Sequence, residues 1–328
     1  MNGMSDVEAC RYVGLDASIT YADMQEVISD NWRVSITKQY IKEGNQITHY
    51  VVETPQGHLT YIQGANEMTT WMMEHLIKAD EDIYLIKKYR PVPKLNKTGL
   101  QKLYDNLGED GIVRTFIYGY QGGCWQDACE LYGAEKMIYA TFDKPNWVHE
   151  LLNILLEKKL QYINESLSGA KVDLVETGGG AASNNLISPD IHEEFCMPYD
   201  RKMHDALHAI GHKSTYHTCG GMTKILDLII QNGCDASETL SPVGMGGDIV
   251  DPIPVVQKFQ GKVAMIGGMD QSNILTSGTP LQIQNEVKRL FEGFGMQGGY
   301  IMSASDHFFH TPVENLIAFA NTGKECRY

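Results

Sequence analysis

The alternation of short β-rich segments with helical segments over most of the chain is the strongest constraint on its fold. Residues 147–167 have apolar residues at helical spacing, and residues 188–211 open with Ser188 and Pro189, a typical N-cap and first-turn pair. Parallel strands need such crossover helices, so the sequence predicts an α/β fold with a parallel sheet, either doubly wound or closed as a (β/α)8 TIM barrel. The seven candidate parallel strands are residues 14–21, 111–120, 171–180, 212–221, 233–242, 262–270 and 298–307.

Residues 32–64 interrupt this alternation. They contain β-rich runs broken by the turn-forming sequences EGN and TPQG, which predict an antiparallel hairpin or meander inserted near the N-terminus. No linker, low-complexity segment or clear internal repeat divides the 328 residues. We therefore expect residues 1–328 to form a single barrel domain.

Composition disfavours several classes of function. The formal net charge is -14, with 41 acidic residues against 27 Lys and Arg, so long-range repulsion opposes general binding to nucleic acid or anionic membranes. No apolar run reaches the roughly 18 residues of a membrane-spanning helix, and the N-terminus lacks the basic head and apolar block of a secretory signal. Seven cysteines, an odd number, favour buried thiols or ligands over a disulfide framework, so the cytoplasm is the expected location.

Titratable side chains recur at the carboxyl ends of the later candidate strands. In a parallel barrel these ends open onto one face, where the loops between strands and helices form the active site. Such clustering favours an enzyme over a non-catalytic barrel. The residues are Glu176, His217, Cys219, Glu238, Asp270, Asp306 and His307.

His217 and Cys219 lie in the sequence YHTCGG, and residues two apart in a strand point to the same face. An imidazole and a thiolate about 6–7 Å apart along a strand can converge on one zinc ion. The alternative is a hydrogen-bonded core histidine beside an inert thiol; the location at a strand end favours the metal. A catalytic zinc needs about three protein ligands. The candidates for the third ligand are Glu176, Glu238, Asp306 and His307, although a hydrogen-bonded pair at a helix entrance explains Asp306 and His307 equally well.

Three sequences resemble the uroporphyrinogen decarboxylase superfamily: H-x-C-G at 217–220, GGMDQSNILTSGTP at 267–280 and SASDHFFHTPVENLIAF at 303–319. The resemblance covers residues 110–328 well and the first hundred weakly. It implies a TIM barrel and one of two chemistries. These are cofactor-free decarboxylation of uroporphyrinogen, or zinc-dependent, corrinoid-linked methyl transfer, as in methylcobalamin:coenzyme M methyltransferases and in the methyltransferase components of anaerobic O-demethylases.

The two branches differ in their motifs. The decarboxylases carry an N-terminal R-Q-A-G-R-type segment whose arginines hold substrate carboxylates, and this sequence has no such segment. The methyltransferases bind zinc through H-x-C and a later cysteine; His217 and Cys219 match, whereas the later cysteine should fall near Ser305 and is absent. A carboxylate or imidazole in place of that sulfur makes a harder zinc, which is better suited to an oxygen-bearing substrate than to a thiol.

The family barrel has a first strand that lies further upstream than any candidate found here. The seven candidates therefore suggest that the first strand is missing. A chain that begins late, a truncated chain and a barrel that closes differently are three open alternatives.

We expect a zinc-dependent methyltransferase that moves a methyl group between a small molecule, such as a methoxylated aromatic compound, and the cobalt of a corrinoid (cobalamin). The corrinoid would be carried by a partner protein, because this sequence has no D-x-H-x-x-G cobalamin-binding motif. The expected zinc ligands are His217, Cys219 and His307. The expected catalytic carboxylates are Glu176, Glu238 and Asp306. A homodimer is a further implication of the resemblance, and the alternatives are a metal-free decarboxylase (a lyase) and a non-catalytic ligand-binding barrel.

Overall fold

The computed structural model of the protein describes residues 3–119 and 121–327. None of the helices in these ranges is both long and apolar enough to cross a membrane. The strands are β1 (Ala17–Thr20), β2 (Met24–Gln25), β3 (Arg33–Lys42), β4 (Asn45–Thr54), β5 (Gly57–Ala65), β6 (Thr70–Glu74), β7 (Lys94–Leu95), β8 (Gly111–Phe116), β9 (Leu174–Gly178), β10 (Ser214–His217), β11 (Ala236–Thr239), β12 (Ala264–Met269) and β13 (Tyr300–Ala304). The α-helices are α1 (Asp6–Val13), α2 (Asp82–Tyr89), α3 (Lys97–Leu107), α4 (Cys124–Tyr132), α5 (Ala134–Asp143), α6 (Pro145–Tyr162), α7 (Pro189–Phe195), α8 (Met197–Ala209), α9 (Leu226–Gln231), α10 (Ile253–Phe259), α11 (Pro280–Leu290) and α12 (Val313–Glu325).

Seven strands form one parallel sheet in the order β1–β8–β9–β10–β11–β12–β13. The order never reverses, whereas a doubly wound sheet reverses at a switch point, so this curled sheet has the strand order of a (β/α) barrel. Within the described residues β1 and β13 end the ladder, and the helices beside them, α1 and α12, pack against each other. The prediction of a parallel α/β barrel with seven strands is confirmed.

An antiparallel meander of four strands, β3–β6, lies between β1 and β8 in the chain. The turn between β3 and β4 has Glu43 and Gly44 at φ 52° and 79°, as in a two-residue type I′ hairpin turn. Strand β3 is an exposed edge strand, with a register shift between Ile36 and Lys38. The insertion extends to β6 and is therefore larger than the hairpin predicted over residues 32–64. The sequence of β6, TWMME, is rich in the helix formers Met and Glu and does not read as a strand.

Most apolar side chains lie in two clusters between the sheet and its surrounding helices. A third, small cluster of Leu174, Ala236 and Ile266 lies on the inner face of the sheet. Residues two further along β9 and β11 share that face with Leu174 and Ala236. The inner face therefore has an apolar floor below the carboxyl ends of the strands.

The outer face of β10 packs against buried polar side chains of α7 and α8. The Tyr216 hydroxyl lies 3.0 Å from His192 Nε2, and His204 Nδ1 lies 2.8 Å from the Ser214 hydroxyl. Asp200 adjoins Tyr216, and burial raises the pKa of its carboxyl to about 7. A carboxyl that stays protonated here avoids placing an unpaired charge behind β10.

Replacing Asp200 with Asn should make stability less sensitive to pH. Because the pKa of Asp200 is raised in the folded state, the folded protein keeps a proton on this carboxyl that the unfolded chain loses above about pH 4. The contribution of Asp200 is therefore fully present at low pH and is lost as pH rises through about 7. Asn is neutral at every pH, so we expect Asp200→Asn to exceed wild type by on the order of 2 kcal/mol at pH 8 and by less at pH 5, in urea unfolding.

Asp205→Asn is the matched control, because it removes an exposed carboxylate from the same helix. Its effect on the unfolding free energy should be small at both pH values, because exposed surface substitutions usually change stability little. An Asp200→Asn effect of equal size at pH 5 and pH 8 would show that Asp200 is ionised in the folded protein.

Candidate active site

Four adjacent strands each bring one titratable side chain to the inner face of the sheet: Arg114 on β8, Glu176 on β9, His217 on β10 and Glu238 on β11. His217 and Glu238 are directly opposite in the parallel register. Glu176 and Glu238 lie two residues beyond Leu174 and Ala236 of the apolar floor and share its face. The exposed fraction of each of the four side chains is 15% or less, so their charges interact with little screening by water.

Arg114 bridges the two carboxylates of this cluster. Its Nη2 atom lies 2.7 Å from Glu238 Oε1 and 3.2 Å from Glu176 Oε2. His217 Nδ1 lies 3.0 Å from the same Glu238 oxygen and 3.6 Å from Glu176 Oε1. Glu238 is thus held by two cationic or donor groups, whereas the contact of Glu176 Oε1 with His217 is longer.

The two carboxyl groups differ in pKa because their neighbours differ. For Glu238, burial favours the neutral form, but the charge of Arg114 and the contact with His217 outweigh it and lower the pKa. For Glu176, burial dominates and raises the pKa to about 7, assisted by the charge of Glu238 and opposed by His217 and Arg114. Burial also opposes protonation of His217, but the Cys219 sulfur and both carboxylates raise its pKa well above the ordinary value.

The other ring nitrogen of His217 faces a different group. Gln121 Nε2 lies 3.1 Å from His217 Nε2 and 3.9 Å from Cys219 Sγ. The Gly180 N–H donates to Gln121 Oε1 over 3.1 Å, which ties the amide to the loop after β9. Imidazole, thiol and carboxamide therefore meet at the carboxyl ends of β8, β9 and β10.

The residues His217 and Cys219 fit a zinc ion. A zinc-bound histidine usually donates its second ring N–H to a carboxylate, and His217 Nδ1 does so to Glu238. Its Nε2 lies 3.1 Å from the Gln121 amide nitrogen, which is 3.9 Å from Cys219 Sγ. Gly180 leaves space for the sulfur, since a Cβ atom at that position would come within 2.5 Å of Cys219 Sγ. An imidazole nitrogen and a thiolate are ligands that zinc prefers.

A second grouping, of Glu176, His217 and Glu238, has ligand atoms that all lie within 4.8 Å of one another. Spacing alone would suit a metal. However, Arg114 already bonds both carboxylates, and a cation would have to compete with its guanidinium. The Nε2 side of His217, next to Cys219, is therefore the better metal position.

The structure brings together four of the six site residues predicted from the sequence: Glu176, His217, Cys219 and Glu238. Asp306 and His307 lie exposed in the segment before α12, where Asp306 Oδ1 accepts from the His307 N–H over 2.7 Å. In the ranges that the structure describes they join no metal-ligand group. The assignments of His307 as a ligand and Asp306 as a catalytic acid stay predictions.

Two residues of the cluster, Arg114 and Gln121, were not predicted from the sequence. Arg114 lies inside the apolar strand sequence GIVRTF and not at its end. The feature that could have indicated its role is a single arginine in a buried strand, at a position whose side chain alternates onto the inner face of the sheet. Gln121 follows β8 in the sequence GYQGGC. The glycines around Gln121 are the feature that could have indicated an unusual loop at this position. Gln121 itself adopts φ 54°, and the φ angles of Gly119 and Gly122 are 97° and 80°.

Comparison with known proteins places most of the chain in a family. Residues 74–326 match the family model described as "Uroporphyrinogen decarboxylase (URO-D)". The chain belongs to this enzyme family. The resemblance stated from the H-x-C-G, GGMDQSNILTSGTP and SASDHFFHTPVENLIAF sequences is thereby confirmed.

The relatives carry two kinds of name. A uroporphyrinogen decarboxylase of Actinobacillus pleuropneumoniae serotype 5b (strain L20) is 32% identical over 185 residues, which are 55% of this chain and 47% of the relative. A methylated-thiol–coenzyme M methyltransferase of Methanosarcina mazei is 25% identical over 198 residues, 59% of this chain and 48% of the relative. A methylcobamide:CoM methyltransferase of the same organism is 26% identical over 153 residues, 45% of this chain and 40% of the relative. The chain spans about half the length of the curated relatives that it matches.

A solved structure supports the fold. A methyltransferase from Methanosarcina mazei superimposes with a TM-score of 0.62 at 16% identity, covering 80% of this chain and 74% of that one. At this identity the likeness concerns the fold. It agrees with the barrel strand order.

Arg114→Met should destabilise the protein strongly. The substitution roughly keeps the volume of the side chain but removes the guanidinium that bonds both buried carboxylates, Glu176 and Glu238. We expect a loss of about 3–5 kcal/mol in the unfolding free energy, measured by urea denaturation.

Arg11→Met is the control, because Arg11 pairs with Asp110 at the surface, where both side chains are about half exposed. Its loss should be about 1 kcal/mol or less. The double variant Arg114→Met, Glu238→Gln should recover part of the Arg114→Met loss. Equal losses for Arg11→Met and Arg114→Met would contradict the role given to Arg114.

Proposed function

We propose that the protein is a methyltransferase that moves a methyl group between a small substrate and the cobalt of a corrinoid on a partner protein, with zinc held by His217 and Cys219. The observation that supports this is the orientation of His217, whose Nδ1 bonds Glu238 while Nε2 faces the Cys219 side of the site. The names of two relatives, a methylcobamide:CoM methyltransferase and a methylated-thiol–coenzyme M methyltransferase, agree with this chemistry.

Each residue of the cluster has a role in this proposal. Bound zinc would supply a Lewis acid that stabilises negative charge on the leaving heteroatom. Glu238 orients His217, and Arg114 holds Glu238 in place. Glu176 is the proposed proton donor, because both Arg114 and His217 bond Glu238, whereas Glu176 is bonded by Arg114 through Oε2 and its Oε1 lies 3.6 Å from His217.

The proposed substrate carries its methyl group on oxygen, as in a methoxylated aromatic compound. The bond between the methyl carbon and oxygen would break with the electron pair staying on oxygen, which takes a proton from Glu176. The methyl carbon would bond to Co(I) of the partner's corrinoid, and the electron pair of Co(I) would form the new carbon–cobalt bond. The ligand chemistry supports an oxygen donor, because no second cysteine occupies the position of Ser305. The Ser305 hydroxyl instead bonds the Met269 carbonyl and Gln271 Oε1, at 2.9 and 2.8 Å.

Decarboxylation is the second candidate, favoured by the 32% identity to uroporphyrinogen decarboxylases and by the presence of Arg114 in the site. A decarboxylase of this type needs free cationic groups to hold substrate carboxylates. The guanidinium of Arg114 is already bonded to Glu176 and Glu238. We therefore rank the lyase below the methyltransferase, and a non-catalytic ligand-binding barrel below both.

The test compares wild type with the double variant His217→Ala, Cys219→Ala. Wild type purified without chelator should contain about one zinc per chain, and the variant close to none. With free cob(I)alamin and 2-methoxyphenol, wild type should form methylcobalamin, detected by its absorption spectrum, and the variant should lose this activity.

A correctly folded wild type that neither contains nor takes up zinc would overturn the metal-dependent proposal. Zinc binding by wild type without methyl transfer in either direction, tested also with methylcobalamin and 2-mercaptoethanesulfonate, would favour the binding barrel. Release of CO2 from a polycarboxylate tetrapyrrole would instead support the lyase.

A further inference from the structure

Gln121 lies where a further metal ligand would be needed. His217 and Cys219 supply two ligands, and a catalytic zinc takes about three from the protein. We propose that the side-chain amide oxygen of Gln121 is the third ligand of the metal held by His217 and Cys219. The proposal rests on the metal site of the proposed function and adds a residue that the family sequence motifs do not contain.

Distances within the site support this role. In a tetrahedral zinc site with Zn–N of about 2.05 Å, Zn–S of about 2.3 Å and Zn–O of about 2.1 Å, neighbouring ligand atoms are separated by roughly 3.4–3.6 Å. The terminal amide atom of Gln121 lies 3.1 Å from His217 Nε2 and 3.9 Å from Cys219 Sγ. These separations bracket the ligand-to-ligand spacing, so the amide occupies a ligand position and not the position of the ion.

The amide must turn to present its oxygen. At present Oε1 accepts from the Gly180 N–H, and Nε2 faces His217 and Cys219. The two terminal atoms of a carboxamide are nearly equal in size, so a half-turn about the last side-chain bond exchanges them without new space. One neutral hydrogen bond is given up, and one metal–oxygen bond forms.

The backbone directs the side chain of Gln121 into the site. Gln121 adopts φ 54°, a left-handed conformation that costs energy for a residue with a Cβ atom. The fully buried Lys159 also holds this loop, because its Nζ donates to the Tyr118 carbonyl over 2.7 Å and pairs with Asp127. A strained residue held by its surroundings in this way is typical of functional sites.

The other candidates for the third ligand are less well placed. The Ser305 hydroxyl is bonded to the Met269 carbonyl and Gln271, and His307 is exposed. Glu176 and Glu238 lie on the Nδ1 side of His217, where Arg114 holds both. Gln121 is on the Nε2 side, with Cys219.

Zinc affinity, measured by competition with a chromophoric chelator, tests the proposal without depending on turnover. Gln121→Ala should weaken zinc binding by about 100-fold or more, at or above the upper end of the roughly 10–100-fold effect of outer hydrogen-bond partners. Gln121→Glu keeps the shape and offers a carboxylate oxygen, so it should bind zinc at least as tightly as wild type. In the cobalt(II)-loaded protein, Gln121→Glu and Gln121→Ala should each change the visible absorption bands that report the ligand set.

Gln126→Ala is the matched control. Gln126 Oε1 accepts from the Ala181 N–H over 2.8 Å, so its removal breaks the same kind of bond to the loop after β9 without touching the metal position. Its zinc affinity and cobalt spectrum should match those of wild type.

The outcomes separate this inference from the proposed function. If His217→Ala abolishes zinc binding while Gln121→Ala equals Gln126→Ala, Gln121 is not a ligand and the metal site stands. An unchanged cobalt spectrum in the isosteric Gln121→Glu variant also overturns the inference, even if Gln121→Ala fails to fold. Undiminished zinc binding in His217→Ala would remove the metal site itself.

Discussion

The ion pairs of Arg114 with Glu176 and Glu238 are the interaction on which the arrangement of the inner face depends. Glu176 on β9 and Glu238 on β11 face each other across β10, where two buried carboxylates repel, and the guanidinium that bonds both offsets that repulsion. With Glu238 held by Arg114, its oxygen can fix Nδ1 of His217. The opposite nitrogen then faces Cys219 and Gln121. On the Nδ1 side of His217 the charges of the arginine and the two carboxylates are paired. On the Nε2 side lie side chains that can act as metal ligands.

This division bears on the chemistry of the family. Both decarboxylases and methyltransferases are found among the relatives, so the barrel alone does not select a reaction. In the proposed function, the distinction is whether cationic side chains at the strand ends are available to a substrate. Here the arginine of the cluster is occupied by the protein's own carboxylates, whereas the imidazole and the thiol point to a shared space. This arrangement is the reason for preferring methyl transfer.

The sequence predicted what depends on local patterns. The seven parallel strands follow from segment periodicity, and the pairing of His217 with Cys219 follows from their separation by two residues, although β10 ends at His217 and Cys219 lies in the loop after it. The contacts of Arg114 reach 62 and 124 residues along the chain, and no local pattern reports such a partner. Asp306 and His307 follow a correctly predicted strand, but the exposed path of the chain after β13 depends on packing. Gln121 depends on a left-handed loop conformation that its own residue type disfavours.

Strand β3 has a consequence for how the protein behaves at high concentration. An edge strand of ten residues exposes backbone donors and acceptors that could template aggregation through strand addition. Its register shift between Ile36 and Lys38 bends the strand locally. If the β3 strands of two copies paired closely, the positive charges of Lys38 and Lys42 in one copy would repel those in the other. The register shift and the two lysines thus oppose strand addition at an edge that exposes Val34, Ile36, Tyr40 and Ile41.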